Sequence, residues 1–200
     1  MPETHHHKAF PARLAFVLNN PLRRLLQPPE QLISKLSIGA DQVVVDFGCG
    51  PGFFLIPIAR VAKKAIGVDV SAGMLQKAAK NAKQSKINLE LLQSDGTEIS
   101  LDDDSVDLIL LNHVFHEVED QSRVLDEFYR ILKPSGRLAI VERTRGSRMM
   151  ANIGPPVINE TELIKQIQQS KFAYTNTIQH GSGSIIVCQK NPDSQTNNEA

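Results

Sequence analysis

The stretch Val43-Val44-Val45-Asp46-Phe47-Gly48-Cys49-Gly50-Pro51-Gly52 decides how the chain is read. Three valines, an aspartate and a phenylalanine form a short continuous apolar run, the pattern of a strand covered on both faces. The run passes into Gly48, Gly50 and Gly52 and then into residues 53–62, which read as a helix. A strand that enters a helix through glycines lies where open α/β sheets bind ligands, outside the carboxyl ends of the strands. Glycine lets the backbone approach a ligand closely, and the new helix offers free N–H groups.

Toward the C-terminus the alternation continues. Residues 65–68 are a second apolar strand ending at Asp69, and Ser71 is an N-cap for a helix over 72–83. Met74, Leu75, Ala78, Ala79 and Ala82 share one face of that helix. Residues 88–92 give a third strand ending near Asp95, and 106–111 a fourth. Val124, Leu125, Phe128, Ile131 and Leu132 mark the stripe of the next helix, which Pro134 and Gly136 stop before a fifth strand over 137–141. Such βαβ alternation predicts a parallel sheet with helices on both faces and right-handed crossovers. The last part differs. A helix over 162–169 precedes strands over 172–179 and 184–189, separated only by His180, Gly181, Ser182 and Gly183. So short a connection makes an antiparallel hairpin.

Toward the N-terminus, Pro11, Pro21, Pro28 and Pro29 punctuate short helical segments. Pro29 opens a helix with Leu32, Ile33 and Leu36 on one face, and Gly39 is expected to end it. The expected organisation is an N-terminal helical cap or lid over residues 1–42, one α/β domain over 43–190 and a flexible tail over 191–200.

Lysine plus arginine and aspartate plus glutamate number 22 each, so the formal net charge is zero. That balance argues against a dedicated nucleic-acid binder, whose affinity comes from a basic excess. Arg143, Arg145 and Arg148 read as a solvated loop after the fifth strand. No stretch approaches the roughly 20 apolar residues of a membrane span, and the polar start does not read as a signal peptide. Two cysteines, Cys49 and Cys188, do not make a secreted disulfide scaffold, so a cytoplasmic location is expected. His5, His6 and His7 are adjacent and supply few convergent ligands, and no metal site is expected.

Two aspartates choose between ligands. Asp69, at the end of the second strand, is placed to accept from both hydroxyls of a ribose, which makes the ligand a nucleoside. Asp46 precedes the glycine turn, whose spacing is Gly-x-Gly-x-Gly and not the Gly-x-Gly-x-x-Gly of nicotinamide sites. A carboxylate there would repel a pyrophosphate but attract an ammonium or sulfonium. The charge points to S-adenosylmethionine (SAM).

With those residues in view, Val43 to Gly52 resembles motif I of the class I SAM-dependent methyltransferases. Gly67-Val68-Asp69-Val70-Ser71 followed by Gly73-Met74-Leu75, then Ser94-Asp95-Gly96 to Leu101 with Ser105-Val106-Asp107-Leu108-Ile109, and then Leu132-Lys133-Pro134-Ser135-Gly136-Arg137-Leu138 are similar to the segments that follow it. The likeness covers about residues 40–142 and is nearest to the ubiquinone and menaquinone methyltransferases. It implies a Rossmann-like, doubly wound seven-stranded sheet of order 3-2-1-4-5-7-6 with the seventh strand antiparallel. It also implies that Asp46, Gly48, Gly50 and Gly52, with Cys49 in the same turn, surround the methionine part of SAM. Asp69 would bind the ribose, Val70 and Met74 would pack near the adenine, and Asp95 would accept from its amino group beside the Gly96 backbone. Asn112 would touch the methionine moiety.

Methyl transfer from a sulfonium requires alignment above all, and a base only where the nucleophile holds a proton at neutral pH. His113 and His116, just past the fourth strand, are the candidate bases. The structural alternative is that their rings hydrogen-bond the backbone and close the pocket wall. Residues 5–8 offer a possible lid, and Ile153, Pro155, Pro156 and Val157 a partly apolar pocket wall. The expected function is transfer of the methyl group to an oxygen, nitrogen or carbon of a small molecule, leaving S-adenosylhomocysteine, by a monomer or homodimer with no nucleic-acid or membrane partner. The alternatives are a catalytically silent SAM-binding regulator of the same fold and, against the charge of Asp46, a nicotinamide oxidoreductase.

Overall fold

The computed structural model describes residues 28–144 and 156–191. The segment up to residue 27 with His5, His6 and His7, the loop residues Arg145, Arg148, Ile153 and Pro155, and the tail from residue 192 lie outside them.

Seven strands form one sheet: β1 (Val43–Phe47), β2 (Lys64–Asp69), β3 (Glu90–Gln93), β4 (Val106–Asn112), β5 (Leu132–Glu142), β6 (Phe172–His180) and β7 (Gly183–Lys190). Their order is β3-β2-β1-β4-β5-β7-β6, and every pairing is parallel except those of β7 with β5 and with β6. The helices are α1 (Pro29–Lys35), α2 (Leu55–Ile58), α3 (Ala72–Gln84), α4 (Gln121–Ile131) and α5 (Glu160–Gln168), with a 3-10 turn at Phe115–Glu117. Strand order and the antiparallel hairpin agree with the reading of the sequence.

Two apolar clusters, one on each face, account for the continuous hydrophobic runs. Val45, Phe47, Leu138, Ile140, Ile186 and Cys188 face α4 and α5, where Val124, Phe128, Leu163 and Ile167 meet them. The alternating residues Val44, Leu110, Ala139, Val141, Ile185 and Val187 face α1 and α2, with Leu32, Leu36, Phe54 and Leu55. Strand residues alternate between faces, so a strand sandwiched by helices has no polar side to show. One irregularity interrupts β4: its register with β5 shifts between Val106 and Leu108, and these two residues fall in opposite clusters.

Three local expectations are corrected. The helix expected over 53–62 is a single α-turn at Leu55–Ile58, flanked by turns. Pro57 has no N–H to give Phe53 O, so the ladder breaks there although Ile56 still bonds Gly52 and Ala59 bonds Leu55. The first helix ends before Gly39: Ser37 takes φ +51° and Ile38 N–H closes back on Ile33 O at 3.0 Å. Arg143 is buried, not solvated, because its carbonyl accepts from Ile158 N–H at 2.8 Å and carries β5 on toward the α5 entry.

The hairpin is tighter than expected. β6 runs to His180 and β7 starts at Gly183, leaving Gly181 and Ser182 as the turn, with Gly181 at φ +58°. A Cβ on Gly183 would lie 2.1 Å from Glu142 O, so β7 can pair with β5 here only as glycine. Gly183→Ala is therefore expected to cost about 1–3 kcal/mol of folding free energy by overpacking. Urea denaturation would measure this, with the loss largely spared when alanine replaces the exposed Ser182.

Candidate functional site

The glycine turn is held open by its own backbone conformation. Gly48, Gly50 and Gly52 all have positive φ, at 71°, 53° and 87°. That region is strained for a residue with a Cβ. Gly48 is further confined, since a Cβ there would stand 2.4 Å from the Val114 side chain, whereas a Cβ on Gly50 would meet nothing within 4 Å. The turn thus packs against the β4 exit on one side and faces open space at its centre. Val68 O anchors its start by accepting from both Gly48 N–H (2.8 Å) and Cys49 N–H (3.1 Å).

Asp69 ties the turn to the next helix. Its Oδ2 accepts from Gly50 N–H and its Oδ1 from Ser71 N–H, each at 2.8 Å. Burial lifts its carboxyl above the usual value, although both N–H donors work the other way. Each oxygen has a second lone pair for another donor. Ser71 then caps α3 through Met74 N–H. Beside this latch, Val70 is 54% exposed while Met74 is buried, leaving an apolar side chain open at the carboxyl edge of the sheet.

The remaining expected residues line the same edge. Asp46 is buried at the end of β1. Cys49 turns its side chain into the core, 2.9 Å from where a Cβ on Gly67 would stand. Burial first, and then Asp46 and Asp69, push its thiol far above its ordinary range, so it is an inert packing group. Asp95 is exposed, and its Oδ1 accepts from Thr97 N–H and Oγ1, which hold its carboxyl low. Gly96 has φ +95°, and a Cβ on it would enter the Phe47 ring. Asn112 ends β4 with its Oδ1 buried and without a hydrogen-bond partner among the described residues.

The two histidines gather on a residue that was not singled out from the sequence, Glu142. This carboxylate closes β5 and its side chain is 1% exposed. His116 Nδ1 stands 3.0 Å from both carboxylate oxygens, and its backbone N–H points at Oε1 from 3.4 Å. His113, at φ +56°, places Nδ1 3.6 Å from Oε2, beyond a hydrogen bond but within ion-pair reach. Burial opposes the charge on Glu142, but the two imidazoles outweigh it and hold the carboxyl below its usual range. The hydrogen bond to Glu142 correspondingly raises His116 against the opposing effect of burial. Among the described residues no hydrogen bond from either ring to the backbone is found, while His116 does line the adjacent cavity. The available signal was a lone glutamate ending the apolar run of β5, which periodicity alone does not connect with residues 113–116.

A cavity of about 450 Å³ opens beside this group, lined by residues that include Phe115, His116, Gln121, Glu142 and Val157. Among the described residues no three His, Cys, Asp or Glu are arranged to hold a metal ion, and no helix is long and apolar enough to cross a membrane.

If Asp69 organises the turn as described, Asp69→Ala releases Gly50 and Ser71 N–H together. A loss of about 1.5–3 kcal/mol is expected, the range for hydrogen bonds to a charged group, with faster amide exchange at Gly50 and Ser71 but not in β7.

Comparison with known proteins fits this geometry. Residues 45–140 match the family model described as a methyltransferase domain. A demethylmenaquinone methyltransferase of Lactobacillus johnsonii is 28% identical over 130 residues, 62% of this chain and 53% of that protein. A malonyl-[acyl-carrier protein] O-methyltransferase of Yersinia pestis is 34% identical over 105 residues, 52% of this chain and 38% of that one. The chain spans about half the length, or less, of these curated relatives. The crystal structure of a SAM-dependent methyltransferase from Aquifex aeolicus superposes with a TM-score of 0.81 at 26% identity, covering 90% of this chain and 98% of that one. The strand order, the latched glycine turn and these matches together support a class I SAM-dependent methyltransferase that resembles the menaquinone-type members.

Proposed function

We propose that this protein transfers the methyl group of SAM to a small-molecule acceptor, with S-adenosylhomocysteine as the other product. The observation that carries the reading is the buried Oδ1 of Asn112, without a partner among the described residues, on β4, the strand that pairs with β1 and its buried Asp46. A buried acceptor without a donor is costly, and a ligand ammonium would satisfy it.

The rest of the edge fits the same ligand. The open face of Gly50 leaves room for backbone approach, and the second lone pairs on Asp69 suit ribose hydroxyls. Val70 and Met74 would flank the adenine, with Gly96 beside it, and Asp95 Oδ2 would accept from its amino group. Gly48 and Gly52 would shape the turn around the methionine part, and Cys49 would contribute only backbone there. When bound, SAM supplies a methyl group already activated for in-line displacement. The protein's task is then to hold the acceptor in line and keep water out, worth up to about 7–11 kcal/mol. His113 and His116 are the groups placed to take a proton from an acceptor that must lose one.

Isothermal titration with SAM, S-adenosylhomocysteine and NADH tests the reading. Binding of both sulfur ligands, with Asp46→Asn and Asp69→Ala each weakening them at least tenfold, is the expected outcome. Binding of NADH alone would contradict it. Binding of SAM with no turnover of any acceptor would support a silent regulator instead.

A further inference from the structure

We propose that the cavity between the 3-10 turn, the end of β5 and α5 is the acceptor pocket, that it admits an uncharged hydroxyl-bearing molecule and not an anion, and that Glu142 is the positioning residue that orients His116 to take the hydroxyl proton. The proposal rests on the SAM-dependent reading above and specifies its acceptor side.

The first part of the argument is the fixed tautomer. Glu142 is ionised, and both its oxygens lie 3.0 Å from His116 Nδ1, so that nitrogen carries the proton and donates it to the carboxylate. Nε2 is then the basic nitrogen. It has no hydrogen bond among the described residues, and its nearest charged neighbour is Glu117 Oε1 at 3.9 Å. The Glu142 backbone is fixed beneath that carboxylate, because it ends β5 in register with Ser184 and its carbonyl packs against Gly183. Ser184 in turn donates to Glu160 Oε2 at 2.5 Å, which ties the start of α5 to the same strand end.

The second part is charge. The cavity wall carries two carboxylates, Glu142 and Glu162, and neutral amides from Gln121, Asn159 and Gln166, but no lysine or arginine among the described residues. Gln121 Nε2 donates to Phe115 O at 2.8 Å, and Gln166 reaches Gln121 Oε1, so the amides are held in place. With His116 neutral, as proton acceptance requires, this lining repels an anion and accommodates a neutral polar molecule. The groups that set the state of His116 are Glu142 on β5 and Glu117 on its own turn, while His113 at the end of β4 faces the same Glu142 carboxylate and Glu162 on α5 lines the same cavity.

The third part is chemistry. A neutral amine already presents a lone pair, whereas a hydroxyl is a poor nucleophile until its proton leaves. A carboxylate-oriented imidazole serves the second case. In the step, the acceptor O–H proton passes to His116 Nε2 while the oxygen bonds the methyl carbon. The carbon–sulfur bond breaks, its electron pair stays on sulfur, and the imidazolium later returns the proton to water.

NMR of the full chain tests this without a known acceptor. The His116 Cε1–H resonance, assigned with His116→Gln, is expected to titrate above the ordinary histidine value near 6.5. Glu142→Gln should lower that midpoint by about one pH unit, a tenfold change, and Glu142→Asp should restore part of it. In the presence of S-adenosylhomocysteine, millimolar phenol should shift the His116 resonance and benzoate should not. Glu162→Lys, on the exposed rim, should admit benzoate. An unchanged midpoint in Glu142→Gln, a larger shift with benzoate than with phenol in the native chain, or no shift with either overturns the proposal. Should Glu142→Gln fail to fold, the phenol and benzoate comparison and Glu162→Lys still decide. Failure to bind S-adenosylhomocysteine would defeat the SAM reading separately, because the His116 titration is read in the free protein.

Discussion

Two backbone N–H groups converge on one half-buried carboxylate, and much of the carboxyl edge depends on that convergence. Asp69 accepts from Gly50, in the centre of the glycine turn after β1, and from Ser71, at the entry to α3. Without a common acceptor, three alternate glycines in left-handed conformations would have little reason to hold one shape, since glycine loses the most freedom on folding. The same carboxylate retains a lone pair on each oxygen, so holding the turn and receiving a ribose are compatible duties. Partial burial of Asp69 holds its carboxyl above the usual range, and these donors offset only part of that cost.

The sheet was legible because its information is local. Val43–Val45 could only be a strand buried on both faces, and Gly181 in a short polar connection between two strand patterns could only be a hairpin. The register of each strand is then enforced by two separate apolar clusters that a one-residue slip would exchange. Details set by missing donors or unusual backbone were harder to see. Pro57 shortens α2 by withholding one N–H, and Ser37 takes over the helix-ending role expected of Gly39.

The candidate site divides in the same way. The proposed cofactor half follows strand ends in sequence order, so Asp46 and Asp69 could be named from their positions and charge, and Asp95 and Asn112 through the resemblance to the family. The proposed acceptor half is assembled from distant segments, with Glu142 joining His116 across the gap between β4 and β5 and Gln166 joining Gln121 across two helices. No periodicity carries such a pairing. The family match ends at residue 140, just short of Glu142, and most of the acceptor half draws on what lies beyond it. The family model thus covers the edge where SAM binding is proposed, while Glu142, α5 and the Gly183 contact lie beyond it.

A crystal structure of the complex with S-adenosylhomocysteine tests the central claim most directly. The account predicts both ribose hydroxyls on the Asp69 carboxylate with the bonds to Gly50 and Ser71 N–H intact, and the ligand ammonium on Asn112 Oδ1. A ligand seated elsewhere, or an Asp69 that abandons Gly50 and Ser71 to reach the ribose, would contradict it.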